Sequence, residues 1–165
     1  MSRLDKFITR MMAQRALLDH ACAQLSGSGS PEGHVIELGL GNGRTYQHLR
    51  EKLPGRRIVA FDRTLVPHPR SYPPEGDLIL GDIRETAASF GDRFGAIAAL
   101  LHADLGDGTE HGDAGIRTWL PGLAHALVRP GGLILTSTDI AHAGLRLEPL
   151  PRDIPDYEYF TYRRL

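Results

Sequence analysis

The sequence predicts an α/β protein: an open, doubly wound, mostly parallel sheet that ends in an antiparallel strand pair. Three observations carry this reading. Short apolar runs at residues 34–38, 58–61, 78–81, 96–101 and 133–136 recur at intervals that suit strands alternating with helices or crossovers. The runs are near-continuous rather than alternating, as strands covered on both faces read. The first run passes directly into a loop with glycine at alternate positions, Gly39, Gly41 and Gly43. After it come Tyr46, Leu49 and Leu53 at helical spacing.

The elements follow in order. Residues 3–25 carry Leu4, Phe7, Ile8, Met11, Leu18, Cys22 and Leu25 at three- and four-residue steps, an amphipathic helix. The Ser/Gly-rich residues 26–31 end it as a short hinge. Pro54-Gly55 closes the first helix of the core. Residues 85–90, and the set Ile116, Leu120, Leu123 and Leu127, read as further helices. Val128-Arg129-Pro130-Gly131-Gly132 stops the last of them and turns into the next strand. Between the second and third strands, Pro67, Pro69, Pro73 and Pro74 forbid a regular helix, so residues 63–76 are an extended loop. Residues 145–148 and 157–162 read as two strands joined by a Pro-rich turn. At 165 residues one domain is expected over 1–165, with an N-terminal helix in 1–26, a nucleotide-binding core in 33–139 and terminal strands in 140–165.

Composition bounds the function. Apolar content of 41% with 24% charged residues is ordinary for a globular protein. A formal net charge of −1 supplies neither the basic field nor the basic tail that nucleic-acid or membrane-surface binding needs. Arg56-Arg57 and Arg163-Arg164 read as solvated surface. The single cysteine, Cys22, excludes an intrachain disulfide and reads as a buried, inert thiol in a reducing compartment. No apolar run approaches the ~20 residues of a membrane span. Arg10, Gln14 and Arg15 interrupt any signal-peptide core, so a cytoplasmic location is expected.

The glycine loop points to chemistry. Glycine lacks a Cβ, takes positive φ and lets a ligand lie on bare backbone. The following helix start adds free N–H groups and partial positive charge. A dinucleotide site spaces its glycines Gly-x-Gly-x-x-Gly, whereas here the third glycine comes one residue early, in Glu37-x-Gly39-x-Gly41-x-Gly43. A carboxylate at the strand mouth repels a pyrophosphate but suits a ligand with ammonium and sulfonium groups. A ligand-free glycine turn is the plainer alternative. Asp62 closes the second strand, at the spacing where a carboxylate holds a ribose diol. Gly81-Asp82-Ile83 closes the third, with an acid for an exocyclic amine and an apolar side chain for a purine face. One strand-end Asp is an ordinary helix cap. Three acids at successive strand ends, Glu37, Asp62 and Asp82, call for a ligand.

These motifs resemble those of class I S-adenosylmethionine (SAM) methyltransferases, over roughly residues 33–139. Residues 37–43 resemble the family's first motif, Asp62 its ribose-binding acid, Gly81-Asp82-Ile83 its adenine turn, and residues 127–132 the turn before its fifth strand. The resemblance implies a Rossmann-like fold, SAM as cofactor and methyl transfer as the reaction. It implies Glu37, Gly39, Gly41, Asn42, Gly43, Asp62, Arg63, Asp82 and Ile83 as cofactor-binding residues. The chain departs from the family in the proline loop and in its short end, with no inserted substrate domain. A small-molecule methyl acceptor is therefore expected, or a pocket completed by another subunit. His102 and Asp104 follow the fourth strand, where this family's acceptor approaches, and are the candidate catalytic bases. A plain loop-capping role is an equal alternative. The Asn-Pro-Pro-Tyr type tetrapeptide is absent, which disfavours adenine and glutamine acceptors.

Asp104, Asp107, Glu110, His111 and Asp113 present oxygen ligands at loop spacing, but acidic glycine-rich loops are commonly solvated turns and no metal is expected. Asp139 and His142 are weaker candidates for the pocket. A non-catalytic SAM-binding module is the rival class. An NAD-dependent oxidoreductase is disfavoured by the glycine spacing and Glu37, and an aminopropyl transferase would need a polyamine pocket. The apolar stripe of the first helix, with Tyr157, Tyr159, Phe160 and Tyr162, residue types enriched at interfaces, predicts a homodimer or higher homo-oligomer. No nucleic-acid or membrane partner is expected.

Overall fold

The apolar runs become strands: β1 (His34–Leu38), β2 (Ile58–Asp62), β3 (Leu78–Leu80), β4 (Ala98–Ala103) and β5 (Val128–Thr136), followed by β6 (Leu145–Glu148) and β7 (Phe160–Arg164). The computed structural model describes residues 1–105 and 110–165, without the side chains of Glu110 and His111. Its strands form one sheet in the order β3-β2-β1-β4-β5-β7-β6. β1 to β5 are mutually parallel, and β7 runs antiparallel between β5 and β6. The chain builds outward from β1 to β3, then crosses back to β4 on the other side of β1. In such a sheet the crevice opens at the carboxyl ends beside that switch point.

Among the described residues five helices cover the two faces: α1 (Arg3–Ser26), α2 (Arg44–Lys52), α3 (Ile83–Phe94), α4 (Glu110–Arg117) and α5 (Leu120–Leu127). Successive strand residues point to opposite faces. Ile36, Leu38, Phe61, Leu101 and Ile134 pack with Ala87 and Phe90 of α3 and with Leu120 and Leu127 of α5. Val35, Ala60, Leu100, Leu133 and Leu135 pack with Leu17, Leu18 and Ala21 of α1 and with Tyr46 and Leu49 of α2.

α1 starts with a reciprocal cap. Ser2 Oγ accepts from the Asp5 backbone N–H at 3.0 Å, and Asp5 Oδ2 accepts from that of Ser2 at 2.8 Å. Its far end is tied by Arg56, whose guanidinium donates to the carbonyls of Leu25, Pro31 and Gly33. Arg56 thus closes the Leu25 carbonyl, one of those a helix end leaves open, and ties it to the chain entering β1, rather than lying as solvated surface. This anchor puts the C-terminus of α1 beside the starts of β1 and β2. The N-terminal half therefore reaches the carboxyl ends of the strands. There Leu4, Phe7, Ile8 and Met12 are exposed.

Several boundaries differ from the sequence reading. The helical pattern over 116–127 splits into α4 and α5, because Pro121 inside a continuous helix would drive its ring against the Arg117 carbonyl. The acidic stretch read as a loop is already helical from Glu110. Residues 129–132 bulge within β5, since Ala98 pairs with Val128 while Leu100 pairs with Leu133. The last strand begins at Phe160. Tyr159 and Tyr162 are buried in the chain's own core and Phe160 packs against it, so these aromatics give no support to an interface.

The proline stretch holds only a 3-10 turn, Pro69–Ser71. It is strapped to α2 by Arg50, which donates to the Arg70 and Tyr72 carbonyls at 2.7 and 3.2 Å. Among the described residues no helix is long and apolar enough to cross a membrane.

Candidate cofactor and acceptor site

A cleft of about 670 Å³ opens at the carboxyl ends of β1, β2 and β4, within the roughly 300–1,000 Å³ of small-molecule sites. Gly39, Gly41, Asp62, Asp82, Ile83 and Asp104 line it, with Arg63 on its wall. The first part of the site is built by local backbone. The Gly39 and Leu40 N–H groups donate to the Phe61 carbonyl at 2.9 and 3.3 Å, which holds the glycine loop against β2. Asp62 Oδ2 accepts from the Gly41 N–H at 2.6 Å, and Oδ1 from the Thr64 N–H at 3.1 Å. Asp82 caps α3 through the Arg84 N–H at 2.9 Å, and Arg63 lies 3.6 Å from its other oxygen.

Asn42 and Gly43 belong to the loop but not to the cleft lining. Gly43 has φ of +80°, and a Cβ there would sit 2.5 Å from that of Ser71. Its bareness serves the proline strap. The Asn42 carbonyl accepts from the His68 N–H at 3.0 Å in the same contact.

Glu37 departs most from expectation. It is fully buried beneath the loop rather than at the mouth of the strand, and it does not line the cleft. Thr45 Oγ1 donates to its Oε1, and His102 Nδ1 lies 2.9 Å from its Oε2. His102 is not a strand-end residue either, because β4 continues to Ala103. It stands opposite Glu37 in the β1–β4 register and is 3% exposed. Burial works against charge on His102, but the Glu37 carboxylate, with Asp104 beyond it, more than offsets this and raises its pKa above the usual 6.5.

Asp104 does face the cleft. Its Oδ2 accepts from Arg10 Nη2 at 2.6 Å, from Gln14 Nε2 at 2.7 Å and, at 3.5 Å, from the Tyr159 hydroxyl. Its Oδ1 is buried and has no hydrogen-bond partner among the described residues. Burial opposes the Arg10 charge, and Tyr159 and Asp104 overcome that to raise its pKa. Burial, then the Asp104 charge, pushes the Tyr159 hydroxyl up. Arg10, Gln14 and Tyr159 were not anticipated as site residues. One signal pointed to Gln14: it occupies the step between Met11 and Leu18 where the apolar stripe of α1 lapses.

The remaining candidates lie elsewhere. Asp139 accepts from the Tyr162 hydroxyl, and His142 stacks on His125 with ring centroids 4.5 Å apart. Neither lines the cleft. Among the described residues no group of three or more His, Cys, Asp or Glu is placed to hold a metal ion. Asp107 and the side chains of Glu110 and His111 lie outside the described residues. Cys22 is buried, which raises its thiol to about 11.

A parallel sheet of this order, with a glycine loop, a strand-end acid and an acid–apolar turn around one cleft, is the arrangement implied by the resemblance. The profile of the S-adenosyl-L-methionine methyltransferase family matches residues 1–164. The chain belongs to this family. The crystal structure of an S-adenosyl-L-methionine methyl transferase from Silicibacter pomeroyi DSS-3 is similar, with a TM-score of 0.91 and 48% identity over 100% of this chain and 99% of that one. TrmN from Thermus thermophilus aligns at 0.58 and 18% identity, over 95% of this chain and 53% of that one. The antibiotic-resistance methyltransferase Kmr aligns at 0.55 and 14%, over 92% and 93%. The last two share the fold alone. None of the curated proteins matches the chain. SAM is thus the cofactor of this methyltransferase family, and the oxidoreductase reading gives way.

Proposed function

We propose that this methyltransferase acts on a small-molecule acceptor in the 670 Å³ cleft, with Asp104 taking up the acceptor's proton. The observation that carries this is the Asp104 Oδ1: a buried carboxylate oxygen beside the cleft with no partner among the described residues. Leaving such an acceptor unsatisfied is costly unless a ligand supplies a donor. A half-buried neighbour argues the same way. Arg10 Nη2 donates to Asp104 Oδ2 at 2.6 Å, which orients the carboxylate and leaves Oδ1 for the acceptor.

The cleft fits the cofactor. Gly39 and Gly41 offer bare backbone to its methionine part. Asp62 spends one lone pair of each oxygen on the loop and keeps others for the two hydroxyls of a ribose. Asp82 and Ile83 suit the amine and face of an adenine, and Arg63 stands at the rim. Glu37, Asn42 and Gly43 act from behind by shaping the loop. When bound, SAM supplies a methyl group carried on a sulfonium. The chain's own residues orient the acceptor, exclude water and accept its proton, and orientation with electrostatics can supply most of the acceleration. Among the described lining residues Arg63 and Arg84 stand beside Asp62, Asp82 and Asp104, a mixed charge that supports a small acceptor over a nucleic-acid backbone.

Calorimetry should find SAM and S-adenosylhomocysteine bound and NAD not bound. Incubation of SAM with small hydroxyl and amine acceptors should yield S-adenosylhomocysteine. Product formed only with RNA would reject the small-acceptor reading, and none with any acceptor would favour a binding module. We also read the exposed stripe Leu4, Phe7, Ile8 and Met12 as the contact of a homodimer. Light scattering at 18.1 kDa would reject it.

A further inference from the structure

One amide joins the core of the sheet to the cleft. Gln14, on the buried face of α1, lies with its Nε2 2.7 Å from Asp104 Oδ2 and 3.4 Å from His102 Nε2. An amide nitrogen carries two hydrogens and accepts nothing. Both contacts are therefore donations, and His102 Nε2 must be bare. The imidazole proton then sits on Nδ1, where it meets Glu37 Oε2 at 2.9 Å. The chain of contacts runs Thr45, Glu37, His102, Gln14, Asp104 and Arg10. It joins the first turn of α2, two neighbouring strands and α1.

We propose that Gln14 is a positioning residue: its amide makes the protonation of buried His102 and the orientation of the Asp104 carboxylate a single two-state element. This rests on the reading of Asp104 as the acceptor-side group.

In the neutral state of His102, the amide nitrogen faces both His102 and Asp104. Oδ2 is held toward α1, and Oδ1 remains for a ligand. When Nε2 gains a proton, two donors face each other. The amide must turn over or draw away, and its oxygen, once presented to His102, faces Asp104 Oδ2 acceptor to acceptor and pushes that carboxylate off. Oδ2 then keeps only Arg10 at 2.6 Å and the longer Tyr159 contact. The carboxylate is less firmly held and Oδ1 less firmly presented. The charged and titratable groups around His102 are Glu37 on β1, Asp104 after β4, Arg10 on α1 and Tyr159 before β7. Burial disfavours the charged form of His102, and Glu37 with Asp104 overcomes that and raises its pKa above 6.5. His102 thereby acts on the site without touching it.

The test uses the protein alone, with protons as the probe. Imidazole nitrogen shifts of labelled wild-type protein should show neutral His102 protonated on Nδ1. The Asp104 carboxyl carbon should show a step at the His102 midpoint. In Gln14→Met, which fills the space without hydrogen bonding, that step should fall at least twofold, leaving only the direct field of the charge. Gln14→Glu keeps the shape but removes both donor hydrogens, and should raise the His102 midpoint while also losing the step. A neutral His102 protonated on Nε2, or an Asp104 step unchanged in both variants, overturns the proposal. Asp104→Asn in a methyl-transfer assay tests the underlying reading separately: normal turnover there removes Asp104 from the mechanism without touching the shift data.

Discussion

The ends of β2 and β4 each carry an aspartate into the same cleft, and the two are held in opposite ways. Asp62 is fixed by N–H groups of the loops at its own strand end, those of Gly41 and Thr64. Asp104 is fixed by side chains from α1, some 90 residues earlier in the chain, and by Tyr159 from the approach to β7. A backbone-held carboxylate moves with the loops that hold it and costs little conformational entropy. A carboxylate held by long side chains must offset their rotamer entropy but can respond to a distant group. The first arrangement suits a constant recognition task, the second a group that changes state during a reaction.

Breaking the β4 side should have the largest effect. Asp104→Asn keeps the size of the side chain but loses the proton acceptor, and turnover with a competent acceptor is expected to fall roughly 10²–10⁴-fold. Unchanged SAM affinity in calorimetry would assign the loss to chemistry. Turnover within a few-fold of wild type would reduce the β4 end to a structural cap.

Next comes the pair that supports Asp104 from below. Glu37→Ala leaves His102 buried without its carboxylate, and removing one member of a buried pair costs about 3–5 kcal/mol. Urea denaturation measures this directly. A loss under 1 kcal/mol would mean the pair is wetter than its burial indicates.

On the β2 side a smaller change is expected. Asp62→Ala should weaken SAM binding by about 1–3 kcal/mol, the cost of leaving hydrogen-bonding groups unpaired, with little change in the urea midpoint. Equal affinity for SAM in mutant and wild type would remove Asp62 from the ribose site. The contrast between these variants, stability for Glu37 and affinity for Asp62, is the sharpest check on the different roles of a buried carboxylate and a cleft carboxylate.

The subtlest effect is a pH dependence confined to the β4 side. The folded-state pKa of His102 is raised, so its charged form stabilises the fold. That contribution is fully present below the unfolded value of about 6.5 and is lost as pH rises through the folded-state value. Urea midpoints measured from pH 6 upward should show this fall, and His102→Leu should flatten it. A wild-type midpoint that rises through the same window would contradict the sign.

Local rules made half of this site legible. The glycine spacing after β1, the acid closing β2 and the acid–apolar pair after β3 each depend on residues within a few positions of one another, and all reach the cleft. Asn42 and Gly43 belong to the same motif, yet they face the proline strap. Nothing local marks Ser71 as the neighbour that fills the space beside Gly43. Glu37 was read as a strand-mouth carboxylate because its sequence neighbours suggest one. Its burial depends on His102 arriving opposite it in the β1–β4 register, 65 residues later.

The sequence by itself determined the α/β alternation, the first helix almost to the residue, the helix-free proline loop and the glycine loop. Periodicity, turn chemistry and the missing N–H of proline act over a few residues. Only the tertiary structure decided that α1 lies across the end of β4. With that came the inward turn of Arg10 and Gln14 toward Asp104, and the use of Tyr159 within the chain. These follow from how a long amphipathic helix packs on a finished sheet. A single polar residue in its apolar stripe shows that something polar lies beneath, but its partner is fixed only when the two surfaces meet.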